Sequence, residues 1–208
     1  EQFKSILDRI HWTANMDKIS NSNMVIEAIV ENLEIKQDLF LQMESMVSDD
    51  CILATNTSSL SVAKIASVCK QKSRIIGIHF FNPVPLMKLV EIIPTEEANG
   101  KLLLEVKSIL KGWGKSVVTA KDTPGFIVNR IARPYYGEAL RIYEEGIADF
   151  ATIDWAMKEF GGFRMGPFEL MDYIGNDINY SATQAVYDGT NHDPRYKPSA
   201  TQKKMMDE

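Results

Sequence analysis

The sequence predicts an α/β chain in two parts: a partial doubly wound, mainly parallel sheet over residues 1–121, then an all-helical part over residues 122–208. Three observations predict it. Short apolar runs of strand length alternate with helical runs up to Lys121, the pattern of a parallel sheet with helices on both faces. Beyond Lys121 the strand-like runs stop and helical ones follow. Apolar residues make up 45% of the 208, enough for one large core or two small ones burying roughly 70% of the unfolded surface.

In order, Phe3 to Ile10 reads as a weak helix, Ile10 to Ala14 as a short strand, and Met24 to Ile29 as a buried strand. Glu31 to Val47 places Ile35, Leu39, Met43 and Val47 four apart, with Glu34, Lys36, Gln37 and Asp38 on other faces, which predicts an amphipathic helix. Strands follow at Cys51 to Thr55, Arg74 to Phe80 and Leu89 to Ile93, with a short helix from Leu60 to Val68. A helix from Gly100 to Trp113 then leads to the strand Ser116 to Thr119. Asp122-Thr123-Pro124 offers an N-cap acceptor and a proline for the first helical position, so a helix is expected from Pro124 to Glu145. Helices at Thr152 to Phe160, Pro167 to Ile174 and Asp177 to Tyr187 are punctuated by Gly161-Gly162 and Gly175. The polar tail from Thr190 to Glu208 is expected to be loosely ordered.

Composition excludes several functions. The net charge of −5, without a basic cluster, argues against nucleic acid as a partner. No run approaches the ~18 consecutive apolar residues of a membrane span. Cys51 and Cys69 lack CxxC spacing, so neither a disulfide framework nor a metal site is expected, and a reducing compartment fits.

The run Gly77 to Ile93, GIHFFNPVPLMKLVEII, carries the strongest chemical signal. His79 closes one strand, Glu91 lies within the next, and the Asn82-Pro83-Val84-Pro85 turn can fold the two segments side by side. A carboxylate that orients an imidazole and stabilises its protonated form makes it a base near neutral pH. A structural histidine satisfied by a buried acid is the other reading. Further candidates fall beyond strand ends, where open parallel sheets bind ligands. Ser58, in the loop after Thr55, offers a hydroxyl to a ligand, although the residues alone favour Ser58 or Ser59 as a cap for the next helix. Asn82 follows His79. Glu31 opens the long helix, where the helix dipole favours a carboxylate whether or not a ligand is present. Asn129 sits in the first turns of the helix opening the second part, aimed either into a cleft or at a neighbouring helix.

HFFNPVPLMKLVEII, with ATNTSSL (54–60), IEAIVENLEIKQDLF (26–40) and KDTPGFIVNRI (121–131), resembles the NAD-dependent L-3-hydroxyacyl-CoA dehydrogenase family, in the family's order and over most of the chain. The resemblance implies a Rossmann-type domain at 1–121 and a helical dimerisation and substrate domain at 122–208. It implies NAD as cofactor, an acyl-CoA as substrate and a homodimer formed through the helical domain, with Ile131, Tyr135, Tyr136, Leu140 and Ile142 as surface or core. It assigns His79 as base, Glu91 as its partner, and Ser58 and Asn129 to the reacting oxygen. Glu31, Lys36, Ser58 and Asn82 fall to the cofactor, and Lys36, Ser58 and Asn129 to the substrate. Fatty-acid β-oxidation is the implied setting, in the mitochondrial matrix of a eukaryote or the cytoplasm of a bacterium. No GxGxxG occurs, so the expectation is that these residues cover the dinucleotide domain incompletely. A gulonate or lens-crystallin type dehydrogenase and a non-catalytic structural module are the alternatives.

Overall fold

The computed structural model describes residues 2–207. Helix α1 spans Gln2–Leu7, and the expected strand at Ile10 to Ala14 is replaced by irregular backbone. That segment has no buried side chain, so no packed face holds it extended.

Five strands form one sheet: β1 (Met24–Glu27), β2 (Ile52–Thr55), β3 (Ile75–Phe80), β4 (Leu89–Pro94) and β5 (Ser116–Thr119), in spatial order β1-β2-β3-β4-β5. The β3–β4 pair is antiparallel and the other three are parallel. This mainly parallel sheet is covered on both faces. Leu53 and Ile75 face α2 (Leu33–Met46) and α3 (Val62–Ala66), packing on Phe40, Met43, Val47 and Ile65. Ile52, Ala54, Ile76, Ile78, Val90 and Ile92 point the other way, onto Leu102, Val106 and Leu110 of α4 (Gly100–Gly112). The period of two along the strands sends alternate residues to the two layers.

The expected face of α2 is corrected. Ile35 is 47% exposed, and the inward residues are Lys36, Phe40, Met43 and Val47. A lysine can sit at the head of that stripe because the buried carboxylate of Glu27 and the more exposed one of Glu31 meet its ammonium.

After β5 the chain is helical: α5 (Val128–Glu144), α6 (Phe150–Glu159), α7 (Pro167–Ile174), α8 (Asn176–Gly189) and α9 (Ala200–Asp207). Their core is Tyr136, Ala139, Leu140, Ile153, Phe168 and Met171. Two expectations fail here. The first long helix begins at Val128 rather than Pro124, and Asp122 instead accepts from Ser61 Oγ, Val62 N and Ala63 N, capping α3. The tail is ordered: Pro194–Tyr196 forms a 3-10 turn with Tyr196 buried, and α9 buries Gln202 against α8 and Met171.

Candidate active site

The antiparallel register places His79 directly opposite Glu91. Directly paired residues project from the same face of a sheet, so the two side chains meet. His79 Nδ1 lies 2.7 Å from Glu91 Oε2, and both residues are buried. Glu91 Oε1 accepts the backbone N–H of Ile127 (2.9 Å) and of Val128 (3.0 Å) at the entrance to α5. Gly125, at φ +75°, and Phe126, at φ +46°, turn the chain so that these two amides point at the carboxylate. A Cβ on Gly125 would lie 2.8 Å from Val186 Cγ2, so side-chain bulk is excluded there as well as strained.

Burial pushes the Glu91 carboxyl up. The hydrogen bonds from His79, Val128 and Ile127 outweigh it and hold the group below its ordinary value. Glu91 is therefore ionised at neutral pH, and Nδ1 of His79 donates to it. That leaves Nε2 as the nitrogen able to take up a proton. The rings of Phe81 and Phe126, with centroids 4.6 and 5.6 Å from that of His79, flank the imidazole.

A cleft of about 580 Å³ lies at the carboxyl ends of β1 and β2, lined by Glu31, Lys36, Asn56, Ser58 and Ser59 on one side and by Asp177, Ile178 and Ser181 of α8 on the other. Asn56 Oδ1 accepts the N–H of Phe80 at 2.9 Å, tying the residue beside His79 to this wall. Asn129 Nδ2 lies 3.5 Å from the carbonyl oxygen of Ser58, which brings those two residues together across the sheet and helical parts. Asn129 is itself held from below: its carbonyl accepts from Nε of the buried Arg133 (3.2 Å), which also donates to Asn179 O and Thr183 Oγ1.

Glu31 organises the Ser58 loop. Its Oε1 accepts from Thr57 Oγ1 (2.5 Å), Ser58 N (3.0 Å), Ser59 N (3.0 Å) and Ser59 Oγ (3.0 Å). Burial raises its pKa, but these donors and the Lys36 ammonium together lower it. Lys36 is 1% exposed, with Nζ 2.6 Å from Glu27 Oε1 and 3.4 Å from Glu31 Oε2. Asn82 stands apart, exposed at the start of the loop from β3 to β4 and not lining the cleft. The residues missed by the sequence reading are Glu27, Asn56 and the amides of Ile127 and Val128. A Glu ending an apolar strand was a readable signal for the first; backbone donors leave none.

The residues present suit a nicotinamide cofactor: the cleft lies outside parallel strand ends, and hydroxyls and a carboxylate converge where a ribose and an uncharged or cationic ring would be held. No group of three or more metal-ligating side chains occurs among the described residues.

Comparison with known proteins agrees with the geometry. Residues 1–123 match the family profile described as "3-hydroxyacyl-CoA dehydrogenase, NAD binding domain", and residues 125–208 match that of the C-terminal domain. The chain is 43% identical over 190 residues to the mitochondrial hydroxyacyl-coenzyme A dehydrogenase of Sus scrofa, covering 91% of this chain and 60% of that protein. It is 39% identical over 206 residues to the 3-hydroxyadipyl-CoA dehydrogenase of Escherichia coli, covering 99% and 43%. The crystal structure of (S)-3-hydroxybutyryl-CoA dehydrogenase from Ralstonia eutropha superposes with a TM-score of 0.93 at 37% identity, over 98% of this chain and 72% of that one. The chain thus spans between 43% and 60% of the length of these two curated relatives. With both profiles matched in order across nearly its whole length, the chain belongs to the 3-hydroxyacyl-CoA dehydrogenase family.

Proposed function

We propose that the protein interconverts L-3-hydroxyacyl-CoA and 3-ketoacyl-CoA with NAD, in fatty-acid β-oxidation. The observation that carries this reading is the His79–Glu91 contact of 2.7 Å, with the second carboxylate oxygen taken by two backbone amides. In the oxidation direction Nε2 of His79 takes the proton of the 3-hydroxyl. Glu91 holds the ring in the productive tautomer and stabilises the imidazolium that forms. NAD, when bound, accepts the hydride from C3. The hydroxyl of Ser58 and the amide of Asn129 hold the oxygen on which charge changes. Glu31, Lys36 and Ser58 are assigned to the cofactor, as is Asn82 from the β3–β4 loop outside this cleft, with Lys36, Ser58 and Asn129 toward the substrate.

The same reading divides the chain at residues 121/122 and makes the helical part a homodimer surface, where Ile131 is 70% exposed while Tyr136 and Leu140 belong to the core. Among the described residues no helix is long and apolar enough to cross a membrane. The reading places the protein in the mitochondrial matrix of a eukaryotic source, supported by relatives named as mitochondrial in mammals, or in the cytoplasm of a bacterial source.

The test is acetoacetyl-CoA-dependent oxidation of NADH by the polypeptide as its gene encodes it, beside His79→Gln. Turnover should fall roughly 10²- to 10⁴-fold in the variant, the usual contribution of a positioned acid-base group, with cofactor affinity within threefold. Absence of turnover in the parent, or equal turnover in the two, refutes the proposal.

A further inference from the structure

Glu27, the last residue of β1, takes no part in the mechanism above. It is 3% exposed, and both carboxylate oxygens are engaged within the protein: Oε1 by Lys36 Nζ (2.6 Å) and Ile29 N (2.6 Å), Oε2 by Thr55 Oγ1 (2.7 Å). Lys36 lies between Glu27 and Glu31, so one ammonium is shared by two carboxylates and the group carries a net charge of −1. A single acid suffices to pair a buried lysine, and the second, Glu31, with its side chain 37% exposed, leaves a surplus of negative charge at the cleft floor. The cleft adds to it. Asp177 lines the far wall, and Lys36 is the one cation among its lining residues.

Such a floor disfavours phosphate and favours a cation. The ring that exchanges hydride must approach the carbon whose oxygen His79 serves, and the wall tied to His79 through Asn56 and Phe80 is the wall of this cleft. The nicotinamide ring carries one positive charge when oxidised and none when reduced. We propose that the Glu27–Lys36–Glu31 cluster sets the preference of the site between the two redox forms of the cofactor, with Glu27 biasing it toward the oxidised form through its field and without touching the ligand. This rests on the cofactor reading proposed above and makes Glu27 a specificity-determining residue of the same site.

Glu27→Gln tests it, because the amide keeps an acceptor for Lys36 and Ile29 and the Thr55 hydroxyl can rotate to accept in turn, so charge changes while shape does not. Glu27→Asp is the converse variant, keeping the charge and shortening the reach. Dissociation constants of NAD+ and NADH, measured by titration without acyl-CoA on the polypeptide as its gene encodes it, give the ratio Kd(NAD+)/Kd(NADH). In Glu27→Gln that ratio should rise roughly three- to tenfold, the scale of one unit charge removed about two side-chain lengths away in a medium between protein surface and water. In Glu27→Asp it should stay within twofold of the parent even if the melting temperature falls. A ratio unchanged in Glu27→Gln while both forms still bind overturns this inference alone. Failure of the parent to bind either form overturns the cofactor reading and this inference with it.

Discussion

Replacing Glu91 by Gln is the perturbation whose outcome the geometry constrains most tightly. Three donors converge on this carboxylate: His79 Nδ1 at 2.7 Å, Ile127 N at 2.9 Å and Val128 N at 3.0 Å. The two amides are backbone and cannot turn away, so the single oxygen of glutamine is drawn to them. Its NH2 then faces His79. Two donors cannot share that contact, so Nδ1 must become an acceptor and the ring proton moves to Nε2, the nitrogen that accepts from the substrate in the proposed mechanism. Turnover should fall roughly 10²- to 10⁴-fold, which corresponds to about 3 to 5 kcal/mol of barrier. Replacing a charged acceptor by a neutral one costs about 1 kcal/mol for each hydrogen bond, offset by removal of a buried charge, so the protein still folds. Turnover is read as acetoacetyl-CoA reduction per folded molecule, beside circular dichroism and the ¹⁵N shifts of His79. Turnover within threefold of the parent, or a His79 that keeps its proton on Nδ1, would refute the reasoning.

Two further outcomes follow from packing and charge. The carboxyls of Glu91 and Glu31 are held below the ordinary 4.5, against burial, by their hydrogen-bond donors and, for Glu31, by Lys36. The folded state thus binds fewer protons than the unfolded one. The stability they contribute is complete above 4.5 and lost as the pH falls through the depressed folded values, so urea midpoints should decline in that acid window, less steeply in Glu91→Gln; an unchanged slope would contradict the assignment. Gly77→Ala would place a methyl 2.8 Å from Val62 Cγ2 and 2.9 Å from Ile93 Cβ, so it should cost about 1 to 3 kcal/mol in denaturant unfolding, and a neutral result would mean that α3 shifts freely on the sheet.

Where the fold was legible, local rules and tertiary demands coincided. The strands β2, β3 and β4 lie within a residue of their sequence-predicted positions because their apolar runs are bounded by turn residues and buried on both faces. The juxtaposition of His79 and Glu91 was legible for the same reason, since consecutive apolar strands flanking one turn-forming loop pair in the register that buries both. What was not legible depended on partners distant in sequence. Spacing alone put Ile35 inside α2 and correctly buried Met43 and Val47, but a buried lysine compensated by Glu27 and Glu31 shifts the first half of the stripe to Lys36 and Phe40. Asp122 is a good local cap for a helix at Pro124, yet it serves α3, some sixty residues away. The tail looked unstructured because its residues are polar, whereas Gln202 donates to the equally buried Asn179 and so finds its partner inside.

The site's geometry makes the orientation of the His79 imidazole inseparable from interdomain packing. Glu91 receives His79 from the sheet and the amides of Ile127 and Val128 from the entrance to α5, so one buried charge joins the imidazole to the helical part. Asn129 is the next residue along, and its amide reaches back to the carbonyl of Ser58, whose loop hangs from Glu31. Arg133, one turn further, ties Asn129 to α8, and α8 supplies the far wall of the cleft. The contacts of Glu91 with Ile127 and Val128, and of Asn129 with Ser58, join the two parts, while those of Arg133 run within the helical part. A buried carboxylate left without its donors would be costly, so displacement of α5 is opposed by the same interaction that orients the imidazole. The contacts that orient the imidazole are therefore complete only when the helical part is docked, so the base role proposed for His79 depends on that docking.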